Sequence, residues 1–434
     1  MYLLFARVLR ESKNRCRLML ILALYGMIPL PSFALSDQTN ESSLVVPHHD
    51  QIVTDSTLSL AKLIDLTLEK YPDSTWLSAL EDEALALQKR SESWTAGASQ
   101  AGLRFQEATS GTLHYIDGTV QVPLWNLGQR EAQRETGDKA VLNAQMQTTA
   151  TKLNIAGLIR MALWDLSLQK IRYDQALAEV DIYGQLLNKV RRRVELGDLP
   201  RADELLAQSE LLQKRASLTF AEAELMHARK RYSSITQSNK IPSIYEESLV
   251  ALKEIQQSHP ALMAVNSQID RKQAELKALK LTGSGQTNLS VGVNSDRFTN
   301  DTRSNKTESF NIGVNIPFGG DAHLQPQLAA INVELNRLIA ERELLHRALD
   351  QLHHEAEHNL EVNRAELDIA NELKQVAEEH LKMTQQSFSA GEINLMDLLK
   401  IQSRTQQAIL NAKERAVILQ RDQALYNQAV GVTP

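Results

Sequence analysis

Residues 193–209 read "RVELGDLPRADELLAQS", and residues 387–403 read "SFSAGEINLMDLLKIQS". At one constant offset, Gly197 falls on Gly391, Asp203 on Asp397, Leu205 on Leu399, Gln208 on Gln402 and Ser209 on Ser403. In each copy a long helix-favouring run is interrupted at the glycine, and the helical pattern resumes within a few residues. Glycine accepts positive φ without steric cost, so the two stretches predict two sharp reversals of very long helices.

The same offset superposes Pro123 on Pro317, while upstream Pro72 in "LEKYPDS" meets Pro260 in "QQSHPAL" at an offset shorter by six residues, assigned to a longer second hairpin loop. The chain is therefore an internal repeat. Each half, 58–235 and 259–432, reads as a helix, a β-hairpin, a very long helix, a glycine turn and a returning helix, with an equatorial linker at 236–258. The long pieces at 128–196 and 322–390 each reach on the order of 100 Å at ~1.5 Å per residue. The returning helices cover about 200–235 and 394–430. Helices of that length need a packed stripe rather than propensity alone. Leu328, Ile331, Leu335, Leu338, Leu345, Leu349 and Leu352 supply one, and Ala202, Leu205, Ser209, Leu212, Ala216, Thr219, Ala223 and Met226 another, both at coiled-coil spacing. The second stripe is rich in small residues, which lets backbones approach closely.

Two stretches carry period two instead. In "ESFNIGVNIPF", Phe310, Ile312, Val314, Ile316 and Phe318 alternate with Asn311, Gly313 and Asn315, and in "TNLSVGVNS" Leu289, Val291 and Val293 alternate with Ser290, Gly292 and Asn294. Alternation means strand. This hairpin covers about 287–318, with the polar segment 296–308 expected as its loop; the earlier hairpin covers about 102–125, with Val120, Val122 and Leu124 on one face.

Scarce aromatics (5%), 18 Gly and 11 Pro in 434 residues fit a mostly helical chain. Residues 1–34 read as a secretory signal: Arg7, Arg10, Lys13, Arg15 and Arg17 precede an apolar run and a Ser32-Phe33-Ala34 cleavage site. A polar segment follows at 35–57. The only cysteine, Cys16, lies in the signal, so the mature chain is expected to carry neither disulfide nor lipid-anchor cysteine. Cleavage removes five basic residues and one acid, making the formal charge of −6 still more negative, which argues against a nucleic-acid partner and points to an acidic, cation-preferring lumen. Beyond the signal no stretch is apolar enough for a spanning helix, so membrane insertion requires a closed barrel. Four strands per chain are too few to close one, so several chains must share it.

With these features in order, the sequence resembles the TolC-like outer-membrane efflux proteins. The resemblance rests on the doubled element order, on "VQVPLWNLGQREAQRE" and "VNIPFGG" where strand passes into long helix, and on the two G-x-x-x-x-x-D turns; "VRRRVELGDLPRADELLAQSE" is most similar to the heavy-metal exporter branch. It implies a mainly α chain with a small β part. It also implies a homotrimer forming a twelve-stranded β-barrel in outer-membrane lipid, continued by a periplasmic α-helical barrel, with a periplasmic adaptor and, through it, an inner-membrane transporter as partners. The implied role is the exit channel of a tripartite efflux system, RND-type, for heavy-metal cations or drugs. A type I polypeptide secretion channel and, in a different class, a periplasmic coiled-coil adaptor are the alternatives. No enzymatic activity, cofactor or metal is expected.

The resemblance also places Asp203 and Asp397 in the periplasmic gate region, Gly197, Leu199, Gly391 and Ile393 at the tips and adaptor contact, and Pro123, Gly128, Pro317 and Gly319 at the strand-to-helix transitions. Some members carry an aromatic hydroxyl and a basic residue where this chain has Phe388 and Ile393, so Arg193, Arg201 and Lys400 are the alternative cations for a gate latch. Three histidines, His353, His354 and His358, include a literal H-E-x-x-H string, "HEAEH". A zinc hydrolase also needs a third ligand and a cleft, and this string lies midway along a predicted uninterrupted helix, so a solvated helix face is the expectation.

Overall fold

The computed structural model describes residues 51–109, 113–300 and 303–434. The secretory signal expected at 1–34 and most of the 35–57 segment lie outside the described residues. A short strand β1 (Val53–Asp55) leads into α1 (Leu60–Lys70), which Ser59 caps by accepting from the Lys62 amide at 3.2 Å. Then come α2 (Ser74–Glu92), β2 (Gln100–Glu107), β3 (Leu113–Leu124), α3 (Gln129–Glu195) and α4 (Arg201–Thr236). After β4 (Lys240–Pro242), which pairs in parallel with β1, the order repeats as α5 (Pro260–Thr282), β5 (Thr287–Asn300), β6 (Arg303–Asn315), α6 (Asp321–Ser389) and α7 (Leu395–Ala429). No described helix is both long and apolar enough to cross a membrane.

The strands form one antiparallel sheet in the order β2-β3-β5-β6, so the two hairpins lie side by side and the outer edges of β2 and β6 are unpaired. Residues directly opposite share a face. Leu289 faces Val122 and Val314, Val291 faces Val120 and Ile312, and Val293 faces Gly118 and Phe310. One surface is therefore apolar across all four strands, continued on β2 by Ala101, Leu103 and Phe105. The other carries Arg104, Asp117, Thr119, Ser290, Asn294 and Asn311. The expected polar loop at 296–308 is overturned: pairing between β5 and β6 continues to Asn300 opposite Arg303. Side-chain polarity shows only that neither face is apolar there, whereas the backbone bonds that extend a ladder are indifferent to it.

In the helical part, α3 packs on α4, α5, α2 and α7, and α6 packs on α7 and α5, leaving α4 and α6 as the two flanks. The two largest apolar clusters among the described residues anchor this arrangement. Near the middle, Leu63, Ile64, Ile155, Ile159, Leu163 and Tyr232 form a cluster. Beside it the buried Arg160 holds Glu247 through Nε and Nη2 (2.7 and 2.6 Å), and donates from Nη1 to the Gln428 side chain (2.5 Å) and from Nη2 to the Val432 carbonyl (3.0 Å), joining α3, the inter-repeat linker, α7 and the tail after it. The second centre lies at the far end of the long helices.

The two sequence stripes have different fates. On α6, Leu328, Leu338 and Leu349 are buried, Ile331, Leu335 and Leu345 half-buried, and Leu352 is exposed. On α4 the stripe read from the sequence is left exposed within the protomer: Ala202, Leu205, Ser209, Leu212, Ala216, Thr219 and Ala223 are all exposed. The face that packs within the protomer is a second stripe, Ala207, Leu211, Lys214, Leu218, Ala221, Leu225, Ala228 and Tyr232. Both have the same 3-4 spacing, so periodicity could not choose between them.

Candidate functional site

At the end of α3 the Leu196 amide donates to the Arg192 carbonyl (3.1 Å), Gly197 to Val194 (3.0 Å) and Asp198 to Arg193 (2.8 Å), with Gly197 at φ 81°. At the end of α6 the Ala390, Gly391 and Glu392 amides donate to Gln386, Phe388 and Ser387 at 2.9, 3.1 and 2.9 Å, with Gly391 at φ 80°. The pattern is the same Schellman closure in duplicate; a left-handed residue lets the helix reverse while its last carbonyls stay bonded.

Asp203 and Asp397 each occupy the third position of a returning helix, where an acid is favoured by the helix dipole. Their caps differ. The Asp397 amide donates to the Asn394 side chain at 2.8 Å, whereas the Asp203 amide donates to the Pro200 carbonyl at 3.0 Å. Asp203 is half-buried and Asp397 exposed, and among the described residues neither carboxylate forms an ion pair within the protomer. Of the alternative cations, Arg193 is engaged elsewhere: it donates to the Phe388 carbonyl at 3.1 Å and lies 5.0 Å over the Phe388 ring, tying the two reversals together. Arg201 and Lys400 are exposed.

Phe388 is buried in a cluster with Tyr183, Leu187, Val190, Ala207, Leu211, Leu395, Leu398 and Leu399, and Leu199 and Ile393 pack half-buried against it. Burial, with Glu179 and Glu210 nearby, pushes the Tyr183 hydroxyl up to about 12. Beside this cluster a groove of about 1020 Å³ runs between α3 and α6 over α7, lined by Lys189, Arg192, Arg193 and Lys382 among glutamines and apolar residues, with no carboxylate. Sequence reasoning missed this basic lining and the Arg193–Phe388 tie. The chain's net acidity says nothing about where its cations collect.

At the other end of the long helices, Gly97 and Gly285 lie against Pro123 and Pro317 in matching positions of the two repeats. Asn126 donates to the Leu281, Thr282 and Gly285 carbonyls (3.3, 2.9 and 3.0 Å), Trp125 to the Ser93 carbonyl (3.0 Å), and the Gly320 amide to Ser284 (2.8 Å). Gly128 and Gly319 take the positive φ, 75° and 71°, needed to turn from strand into helix. The four chain crossings thus form one collar between sheet and helices.

The histidines divide. His353 is buried with its Nε2 3.2 Å from the Tyr426 hydroxyl; that hydroxyl donates to the Leu252 carbonyl at 2.6 Å, so the histidine nitrogen is the donor in their bond. His354 and His358 are exposed, and among the described residues no third His, Cys, Asp or Glu joins them as a metal site.

No protein-family model matches the chain, and no curated protein sequence does. Solved structures do. The channel protein CusC is 12% identical, with 92% of this chain and 99% of that one covered at a TM-score of 0.68. VceC, an outer-membrane protein of Vibrio cholerae, is 14% identical over 86% and 96%, with a TM-score of 0.66. The chain has the TolC-like channel fold. The open state of the MtrE outer-membrane channel of Neisseria gonorrhoeae matches as well, at 13% identity over 89% and 98%, with a TM-score of 0.66.

Proposed function

We propose that the chain is one subunit of a homotrimeric outer-membrane exit channel, passively conducting substrates from a tripartite, RND-type efflux system fed through a periplasmic adaptor. It performs no chemistry, and heavy-metal cations or drugs are its cargo. The observation that carries this reading is the sheet: among the described residues no element covers its apolar face, with Leu103 83%, Val293 62%, Phe310 63% and Ile312 64% exposed, while its opposite face is polar. A soluble sheet buries its apolar face, whereas a barrel wall turns it to lipid and lines a wet lumen with the other. The unpaired edges add a requirement. Unpaired backbone is not tolerated in hydrocarbon, so β2 of one copy pairs with β6 of the next.

The helical flanks make the same demand. The exposed stripe of α4 alternates the small residues Ala202, Ser209, Ala216 and Ala223 with Leu205, Leu212 and Thr219, while the exposed stripe of α6 is uniformly large, with Val362, Ile369, Leu373, Val376 and Met383. Two different faces meeting between copies make a head-to-tail interface, the kind that forms a ring when its rotation closes. Asp203 and Asp397 form the periplasmic gate region, and Gly197, Leu199, Gly391 and Ile393 the end that meets the adaptor. Reconstitution in planar bilayers tests the assignment. The trimer is expected to conduct, and Asp203→Ala with Asp397→Ala to raise single-channel conductance or change its block by multivalent cations; unchanged behaviour removes the gate assignment.

A further inference from the structure

Away from the helices, the apolar face of the sheet gives way to charge within one step. Its last partly apolar rung is Phe105, Ile116, Ser295 and Glu308. The next residues on the same face, about 7 Å further along the strands, are Glu107, His114, Arg297 and Lys306. All four are exposed.

The charges of this rung are paired unevenly. The register sets Arg297 directly opposite His114 on one side and Lys306 on the other. Like charges in directly opposed positions destabilise a sheet. The carboxylates on this face are taken by the outer partners: Glu107 lies 3.6 Å from the His114 Nδ1, and Glu308 pairs with Lys306. Asp296, the acid next to Arg297 in the chain, belongs to the opposite face. Among the described residues the Arg297 guanidinium has no ion-pair or hydrogen-bond partner. A free guanidinium between an ammonium group and an imidazole N–H fits an acceptor with several charged oxygens, as a phosphate has.

We infer that Arg297, flanked by His114 and Lys306, binds the phosphate of a lipid headgroup in the leaflet remote from the helices, and that this lipid is a phosphorylated glycolipid of the lipid A class. The inference rests on the outer-membrane reading above. Continuity selects a lipid over a free anion: a molecule whose acyl chains lie on Phe105, Ile116 and Phe310 carries its phosphate at the level of the next rung. Charge selects a phosphomonoester, which carries close to two negative charges at neutral pH, over a singly charged phosphodiester. Such a group offsets the two facing cations Arg297 and Lys306 together. Arg297 and His114 stand on the inner strands β5 and β3, clear of the edges where copies meet.

Native mass spectrometry of the assembled protein, released from detergent, tests this with diphosphoryl lipid A and phosphatidylglycerol as probes. Lipid A adducts are expected at several-fold lower lipid concentration than phosphatidylglycerol adducts. Arg297→Gln is expected to weaken lipid A binding about tenfold, the scale of one charge-assisted hydrogen bond, and to remove most of that preference. Arg297→Lys keeps part of it, and Arg104→Gln, on the opposite face, leaves it unchanged. Equal binding of the two lipids, a preference that survives Arg297→Gln, or one that millimolar inorganic phosphate abolishes overturns the inference. Assembled trimers that take up both lipids without preference leave the barrel reading standing. A monomer that stays in water without detergent and binds neither lipid overturns both.

Discussion

At the scale of single residues, His259 couples stability to pH. Its ring is buried, caps α5 by accepting from the Ala261 amide at 3.2 Å, and is pushed by burial below the usual imidazole value, partly offset by the Ala429 carbonyl nearby. Because the folded value is depressed, the unfolded chain binds the proton first, so stability is full above the unfolded value of ~6.5 and falls as pH drops below it. Thermal unfolding in detergent is expected to show a lower midpoint at pH ~5 than at pH ~7.5 in the native protein. His259→Asn keeps a capping acceptor and is expected to flatten that dependence. An equal slope in both proteins assigns the pH response to other groups. Arg160 is the opposite kind of buried charge, held through Nε and Nη2 by Glu247 across 87 residues of sequence.

At the scale of elements, the two reversals show how a repeated sequence gives repeated geometry. Gly197 and Gly391 have no neighbouring atom within reach of an added Cβ, so crowding does not select glycine there; the positive φ does. Gly391→Ala is expected to destabilise the hairpin by about 1 kcal/mol, the cost of placing an L side chain in the left-handed region. Amide hydrogen exchange over the last turn of α6 measures it, and exchange unchanged by the substitution refutes the strain argument. Arg193 connects the reversals but has no counterpart in the second repeat, where Ser387 stands at the matching position. The tie therefore runs one way, from the first hairpin to the second.

At the scale of the whole molecule, both helical flanks and both sheet edges are left without a neighbouring element among the described residues. The exposed small-residue stripe of α4 belongs to the interface between copies in the proposed ring. Ala216 lies at its centre and is exposed in the protomer, so Ala216→Trp leaves the monomer's own packing intact while obstructing a close helix–helix approach. Mass measurement in detergent is expected to show loss of the trimer with helical circular dichroism retained. A trimer that persists in this variant places the interface elsewhere. The basic groove between α3 and α6 sits at the same end as Asp203 and Asp397, so that end carries both charge signs and not the uniform acidity that net charge suggests.

Period two in "ESFNIGVNIPF", the matched glycines and the doubled element order fixed the strands, the reversals and the channel fold, because each is a local backbone demand written into neighbouring residues. Tertiary structure alone decided which of two equally spaced stripes on α4 turns inward, since that depends on where α3 lies. It also extended β5 and β6 through a polar segment, because ladder bonds come from backbone, and it brought Arg160 to Glu247, Arg193 to Phe388 and the collar residues to one level. Those contacts join residues far apart in sequence, and no local pattern records which distant partner a side chain will meet.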